Sequence, residues 1–173
     1  MRGLLRFGGW VMLTVRATTK GDLAAVDALL ARSYPKLLKG AYPPSVLVTA
    51  LPLISRAQPA LLASGTYYAV ELEGRIVGVG GWTRDGAVSG RGHVRHVATD
   101  DRVVRRGVGR ALIAHVGSQA RAAGMRELEC WATRNAVPFY AAMGFVEEGP
   151  MEVTLQPGIT FPSVRMRLGL AQG

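Results

Sequence analysis

The spacing of apolar residues changes several times along this chain, and each change marks a new element. Leu13-Thr14-Val15-Arg16-Ala17 alternates and predicts a first strand. The period then lengthens: Leu23, Val26, Leu29 and Leu30 recur at three- and four-residue steps, a helical stripe that Thr19 or Asp22 can cap. A proline-rich stretch, 35–59, holds Pro43-Pro44, a suitable start for a short helix or an irregular connector, and offers room for substrate-facing loops. Two strands, 67–72 and 75–82, flank Glu73-Gly74, where glycine supplies the positive φ of a tight hairpin. A glycine-rich loop, 85–92, leads into a strand over 93–99. Strict alternation there puts His93, Arg95, Val97 and Thr99 on one face and Val94, His96 and Ala98 on the other.

Beyond residue 100 the pattern is helical again. Leu112, Val116 and Ala120 form one stripe of a helix over 107–123, stopped by Gly124 as a left-handed cap. A strand over 126–131 follows at once, so strand, helix and strand make a right-handed parallel crossover. A short helix over 137–143 ends at Gly144, and strands begin at Phe145 and at Val164. The sum is an α/β (α+β) chain without internal repeats. At 173 residues it is long enough for one hydrophobic core and too short for two ordinary domains. The expected division is a poorly ordered extension over 1–11 and a single domain over 12–170, with Met12 at the start of the fold.

Composition narrows the possibilities. No run reaches the roughly 18 apolar residues of a spanning helix. The single cysteine, Cys130, rules out an internal disulfide framework and suggests a reducing compartment, hence the cytoplasm. A net charge of +9 arises mainly from arginine, and most arginines are scattered. The dense exception is Arg102, Arg105, Arg106 and Arg110, wrapped around two glycines, which points to a local anion site more than to a nucleic-acid stripe.

That cluster lies in Val104-Arg105-Arg106-Gly107-Val108-Gly109-Arg110, between a strand and a helix. Glycine lets a ligand approach the backbone, and the first amides of a helix offer free N–H donors at its positive end, an arrangement suited to a pyrophosphate. No Gly-Lys-Ser/Thr follows, which excludes a Walker loop, and the spacing lacks the third glycine and acidic residue of a dinucleotide fingerprint. A second segment, Asn135-Ala136-Val137-Pro138-Phe139-Tyr140-Ala141-Ala142-Met143-Gly144-Phe145, completes the picture. Together the two resemble the GNAT superfamily of acyl-CoA-dependent N-acyltransferases. The glycine turn is similar to that family's Arg/Gln-x-x-Gly-x-Gly/Ala motif, with Val104 standing where the family prefers Arg or Gln, and the later segment is similar to its Asn…Ala…Phe-Tyr-x-x-x-Gly-Phe signature.

The resemblance implies a mixed, mostly antiparallel sheet of about six to seven strands, with a central parallel pair splayed to hold CoA and helices on both faces. It implies acetyl-CoA as donor, an amine as acceptor, direct transfer in a ternary complex, no metal, and a homodimer as one open oligomeric state. Arg105, Arg106, Gly107, Val108, Gly109 and Arg110 then correspond to the phosphate turn. Val97, Ala98 and Thr99 correspond to the strand that pairs with pantetheine, and Asn135 and Phe139 to positions lining the cofactor. Tyr140 corresponds to the tyrosine that protonates or hydrogen-bonds the leaving thiolate.

An amine acceptor must lose a proton before it attacks a thioester. His93 is the first candidate for the base, with His96 and a water chain as alternatives and only one histidine expected to face the acceptor. His115 is expected at the surface. Cys130, inside a central strand, reads as a small apolar filler, not a nucleophile. Two further readings compete: a CoA-binding sensor without turnover, and a basic nucleic-acid-binding module, which the absence of an aromatic stacking array disfavours. The 35–59 stretch carries no charge pattern selective for one amine, and its shortage of acidic residues argues against polyamines.

Overall fold

A computed structural model of the chain describes residues 3–7, 11–103 and 106–172. Eight strands make one sheet: β1 (Gly3–Phe7), β2 (Val11–Ala17), β3 (Tyr67–Leu72), β4 (Arg75–Arg84), β5 (Arg91–Thr99), β6 (Glu127–Ala132), β7 (Val146–Gln156) and β8 (Ile159–Gly169), in the order β1-β2-β3-β4-β5-β6-β8-β7. All neighbours are antiparallel except β5 and β6. From β2 onward this is the mixed seven-stranded sheet that the sequence implies. Gly3–Phe7 lies inside the stretch expected to be a poorly ordered extension, yet it pairs with β2, whose backbone groups would otherwise form an open edge.

Five helices cover the sheet: α1 (Leu23–Leu38), α2 (Pro44–Ile54), α3 (Pro59–Leu62), α4 (Val108–Ala122) and α5 (Val137–Ala142). The hydrophobic residues divide between its two faces. On the α4 face, Leu112, Val116 and Ala120, the stripe read from sequence, pack fully buried with Val70, Leu128 and Met166. On the α1 face, Leu30, Leu38 and Leu62 pack with Ala69, Val79 and Ala98. Each leucine so buried contributes roughly 1.5–3 kcal/mol relative to exposure. The β3–β4 hairpin turns at Glu73 and Gly74, both at positive φ (50° and 76°), and Gly124 caps α4 at φ 88°. His115 is not a surface residue: it is half-buried, edge-on to Tyr68 with ring centroids 4.5 Å apart.

Two irregularities shape the interior. First, the β4–β5 register slips, with Gly81 opposite Arg95 but Val79 opposite Ala98, so β5 carries an extra residue. His96 sits there at φ 49°, in the left-handed region that a non-glycine residue enters only at a cost. The hydroxyls of Tyr67 and Tyr34 donate to the carbonyls of His96 and Val97, each at 2.9 Å, and hold the bulge from the α1 side. The bulge overturns the alternation expected for this strand. Val94 and Val97 both pack on the α4 side, whereas His96 stacks on Tyr34 of α1 and so joins the face of His93 and Arg95.

Second, the parallel ladder between β5 and β6 runs only from Arg91↔Glu127 to His93↔Glu129. Beyond it the strands part, and 94–99 have no ladder partner on that side. On its far side β6 remains fully paired with β8, from Glu127 to Ala132. The gap is therefore a wedge within an otherwise continuous sheet.

Candidate active site

The wedge opens into a cavity of about 1260 Å³. Its volume exceeds the ~300–1,000 Å³ that usually holds one small ligand, so it has room for two. One end lies at the start of α4 and the other under α1, α2 and the β7–β8 hairpin. Between them the wall follows β5 from Thr99 through Ala98, Val97 and His96 to Arg95.

At the first end the helix begins without a side-chain cap. Its N-cap is Gly107 at φ 78°, a conformation that glycine adopts without strain. Ala111 N–H is the first to reach back to the Gly107 carbonyl, at 2.9 Å, so the preceding amides of the turn are free of the helical ladder. Gly107, Val108, Gly109 and Arg110 line the cavity, and Arg106 is exposed beside them. A Cβ on Gly109 would stand 3.1 Å from the Phe139 ring, so glycine lets α5 close against the turn. Arg105, expected to help here, and Val104 lie outside the described residues.

Arg102, counted in the same basic cluster, is committed elsewhere. It bonds Asp100, which is buried and also ion-paired with Arg32 of α1 at 2.6 Å. Burial opposes ionisation of Asp100, but the Arg102 side chain and amide, with Arg32, outweigh it and hold the carboxyl at about 2. The role of this cluster is to tie the end of β5 to α1, ahead of the glycine turn.

Along the middle, Val97, Ala98 and Thr99 line the cavity, together with Asn135 and Phe139. Asn135 Nδ2 donates to the Leu37 carbonyl at 3.1 Å, bridging the segment before α5 to the end of α1. Tyr140 lines the cavity beside Cys130. Burial, then the neighbouring Cys130, pushes its phenol well above the ordinary value of about 10, so it stays protonated. Cys130 is itself pushed up to about 12, chiefly by burial, which makes it a poor nucleophile, as its strand position predicted.

The two histidines separate clearly. His93 does not line the cavity. Its Nε2 is 2.8 Å from Asp85 Oδ2, its Nδ1 is 3.9 Å from Glu129 Oε1, and its ring meets the edge of Trp131. His96 does line it. Its Nε2 is 2.7 Å from the Ile54 carbonyl, which can only accept, so Nε2 carries the proton. Nδ1 is left buried with no hydrogen-bond partner among the described residues. Burial lowers the pKa of this imidazole and keeps it neutral. Sequence alternation had turned His96 away; only the bulge brings it here.

At the far end the wall is mostly apolar, with Ile54, Leu61, Val153, Leu155 and Phe161. Nothing in the sequence marks these residues or Arg95 as a site, and the spacing of the aromatic residues does not separate pocket from core; of those, Tyr34 and Trp131 line the cavity. For the apolar residues the signal is the apolar composition of α2 and the strand pattern of β7 and β8, which does not distinguish a pocket wall from core. Trp82, by contrast, is core, and Tyr42 is buried with its hydroxyl on the Pro162 carbonyl. No cluster of metal-binding side chains occurs among the described residues, and no described helix is long and apolar enough to cross a membrane.

A sheet wedged open between parallel strands, above an uncapped glycine-turned helix, is the arrangement that the resemblance to acyl-CoA-dependent acyltransferases implies. Residues 54–168, more than half of the chain, match the acetyltransferase (GNAT) domain, and the chain belongs to that family. Its fold is similar to a GCN5-related N-acetyltransferase from Rhodopseudomonas palustris (TM-score 0.74, 23% identity, 90% of this chain and 94% of that one). It is also similar to the PaiA N-acetyltransferase of Thermoplasma acidophilum, solved in complex with coenzyme A (TM-score 0.66, 11% identity, 91% and 98%). A third likeness is to a GNAT-family putative acetyltransferase from Desulfovibrio desulfuricans (TM-score 0.63, 21% identity, 92% and 99%). No curated protein matches the sequence.

Proposed function

We propose that this protein moves an acetyl group from acetyl-CoA to a primary amine by direct transfer in a ternary complex. The observation that carries this is the parting of β5 from β6 over the free amides of the α4 turn. Residues 94–99 lack a strand neighbour on the cavity side, so the amide-bearing arm of CoA can lie along Val97, Ala98 and Thr99 as an added strand. The turn at Gly107, Val108 and Gly109, with Arg106 and Arg110 beside it, suits the diphosphate. The similarly folded PaiA N-acetyltransferase, solved with coenzyme A, is consistent with this donor.

In this reading the acceptor nitrogen attacks the thioester carbonyl, the C–S bond breaks and the thiolate departs. Tyr140 serves the sulfur. With a pKa above that of a thiol, near 8.5, it acts better by holding a hydrogen bond to the developing charge than by surrendering its proton outright. For the base, the arrangement favours His96 over His93: the lone pair on His96 Nδ1 is unclaimed, whereas His93 is engaged by Asp85. In this reading the proton travels from the amine to Nδ1 by way of water, since that nitrogen is buried on a residue of the cavity wall.

The test is calorimetry with acetyl-CoA, followed by release of free thiol in the presence of amino acids, arylamines, aminoglycosides and peptides. Saturable binding and thiol release with at least one amine are expected. Gly109→Phe, which fills the turn and collides with Phe139, should weaken acetyl-CoA about 100-fold, the loss of roughly two charge-assisted hydrogen bonds. A wild-type protein that binds no CoA species at millimolar concentration sinks the reading.

A further inference from the structure

Arg95 stands apart from the other basic residues of its neighbourhood. Arg91, Arg165 and Arg167 all meet Glu127, Glu129 or Glu148. Arg95, half-buried in the cavity wall, meets none: its Nε donates to Thr83 Oγ1 at 2.8 Å, and its two terminal nitrogens have no ion pair or hydrogen bond among the described residues. The nearest carboxylate that influences it, Asp85, is taken by the amides of Ala87 and Val88 and by His93. Trp131 lies beneath the guanidinium, 5.8 Å from ring centroid to Cζ, and is itself held by Glu129 through a 2.8 Å bond from its indole N–H. A planar, aromatic-backed fork with both prongs free is the geometry that grips a carboxylate. A guanidinium half withdrawn from water without a counter-charge also gains from an arriving anion.

The CoA diphosphate is not that anion. Thr99 pairs with Gly78 and Arg95 with Gly81, so across the bulge they stand three residues of β4 apart, about 10 Å at strand spacing. Arg95 instead stands next to His96, with Ile54, Leu61, Val153, Leu155 and Phe161 in the same cavity wall. No carboxylate lines the cavity among the described residues, so nothing there welcomes a second positive charge on the acceptor. From this we infer that the acceptor is an amino acid with an apolar side chain: its carboxylate seats on Arg95, its amine faces His96 and its side chain fills the apolar end. The inference rests on the acetyltransferase reading and names the acceptor class of that same site.

The experiment measures thiol release with acetyl-CoA and three amines of one skeleton, L-leucine, L-leucinamide and 3-methylbutylamine, with spermidine as a cationic control. Wild-type kcat/KM should favour leucine over the two uncarboxylated amines by roughly 10- to 100-fold. Arg95→Gln should abolish that preference through KM for leucine, and Arg95→Lys should restore part of it, because the charge returns without the fork. Acetyl-CoA affinity should change less than twofold in either variant. Equal use of the three amines by the wild type, preference for spermidine, or an equal loss on all amines in Arg95→Gln would overturn the inference. Binding of N-acetyl-L-leucine in the presence of CoA, read by calorimetry, decides the matter if no amine turns over: it should be lost in Arg95→Gln, and binding that survives the substitution also overturns it. Absent acetyl-CoA binding in the wild type would instead condemn the acetyltransferase reading itself.

Discussion

The two ends of the cavity are built in opposite ways. The end proposed for the donor is made mostly of backbone, the amides of one turn and one strand edge a few residues apart in sequence, with Asn135 and Phe139 beside them and arginines at its margin. The end proposed for the acceptor is made of side chains from α1, α2, β5, β6, β7 and β8, and the two groups given roles there, His96 and Arg95, owe their placement to contacts with Ile54, Thr83 and Trp131. A backbone site binds what every member of a family shares, because amides do not vary with the side chains that carry them. A side-chain site assembled from distant segments is free to differ. The difference teaches that donor and acceptor selectivity in this fold are separable, and substitutions should show it.

The largest expected effect is at the acceptor end. Replacing His96 with Gln, which keeps a donor for the Ile54 carbonyl but removes the base, should lower kcat by about 100- to 1,000-fold and leave acetyl-CoA affinity within twofold. The pH profile sharpens this. A base must be neutral to work, and burial lowers the pKa of His96, so wild-type kcat/KM should hold below pH 6.5 before falling as the imidazole protonates. That acid limb should vanish in His96→Gln. A drop in acetyl-CoA binding of the same size as the drop in kcat would show the two ends to be one unit.

Next comes the anchor that joins them. Asp100→Ala removes the buried carboxylate that Arg32 and Arg102 share; Arg102 stays largely exposed and Arg32 keeps Asp101, so the cost should be about 2 kcal/mol, readable in urea unfolding. The sign of the pH dependence follows from its depressed pKa. The ionised carboxylate stabilises the fold at and above about pH 4, the ordinary value for an unfolded aspartate, and that contribution drains away as pH falls toward about 2. The variant should therefore show a flatter acid limb than the wild type between these values. An unchanged limb would mean that the anchor adds nothing to the fold.

The contrast between the ends also explains what the sequence made legible. Gly107 announces its turn because the positive φ it permits is local and few other residues allow it, whereas Gly109 is helical and makes room for Phe139. The β3–β4 hairpin, α4 and its cap at Gly124 were readable for the same reason. The face of His96 was not, because alternation assumes a regular strand and one inserted residue reverses it downstream. What stabilises that insertion is Tyr34 and Tyr67, 63 and 29 residues in sequence from the carbonyls they hold. The isolation of Arg95 is harder still to foresee. It is a property of where all the carboxylates go, and Glu127, Glu129 and Glu148 find other arginines only once β6, β7 and β8 are assembled. The pairing of Gly3–Phe7 likewise depends on an edge that exists only in the folded sheet.

The smallest of these effects falls where the two ends meet. Tyr140 is positioned by the core, edge-on to Phe139 and Phe145, and its hydroxyl is the one polar group it brings to the cavity. Phenylalanine preserves that packing, so Tyr140→Phe should leave stability and acetyl-CoA affinity nearly unchanged. The loss should appear in kcat, by about tenfold, the worth of one hydrogen bond to a charge that develops only as the C–S bond breaks. A hydrogen-bond donor and a true acid differ in one further respect. If Tyr140 only holds the thiolate, an acetyl donor with a more acidic thiol should recover most of the lost rate, because less charge needs holding. If the phenol must give up its proton, a donor of that kind would recover little, and the preference for hydrogen bonding argued from its raised pKa would be wrong.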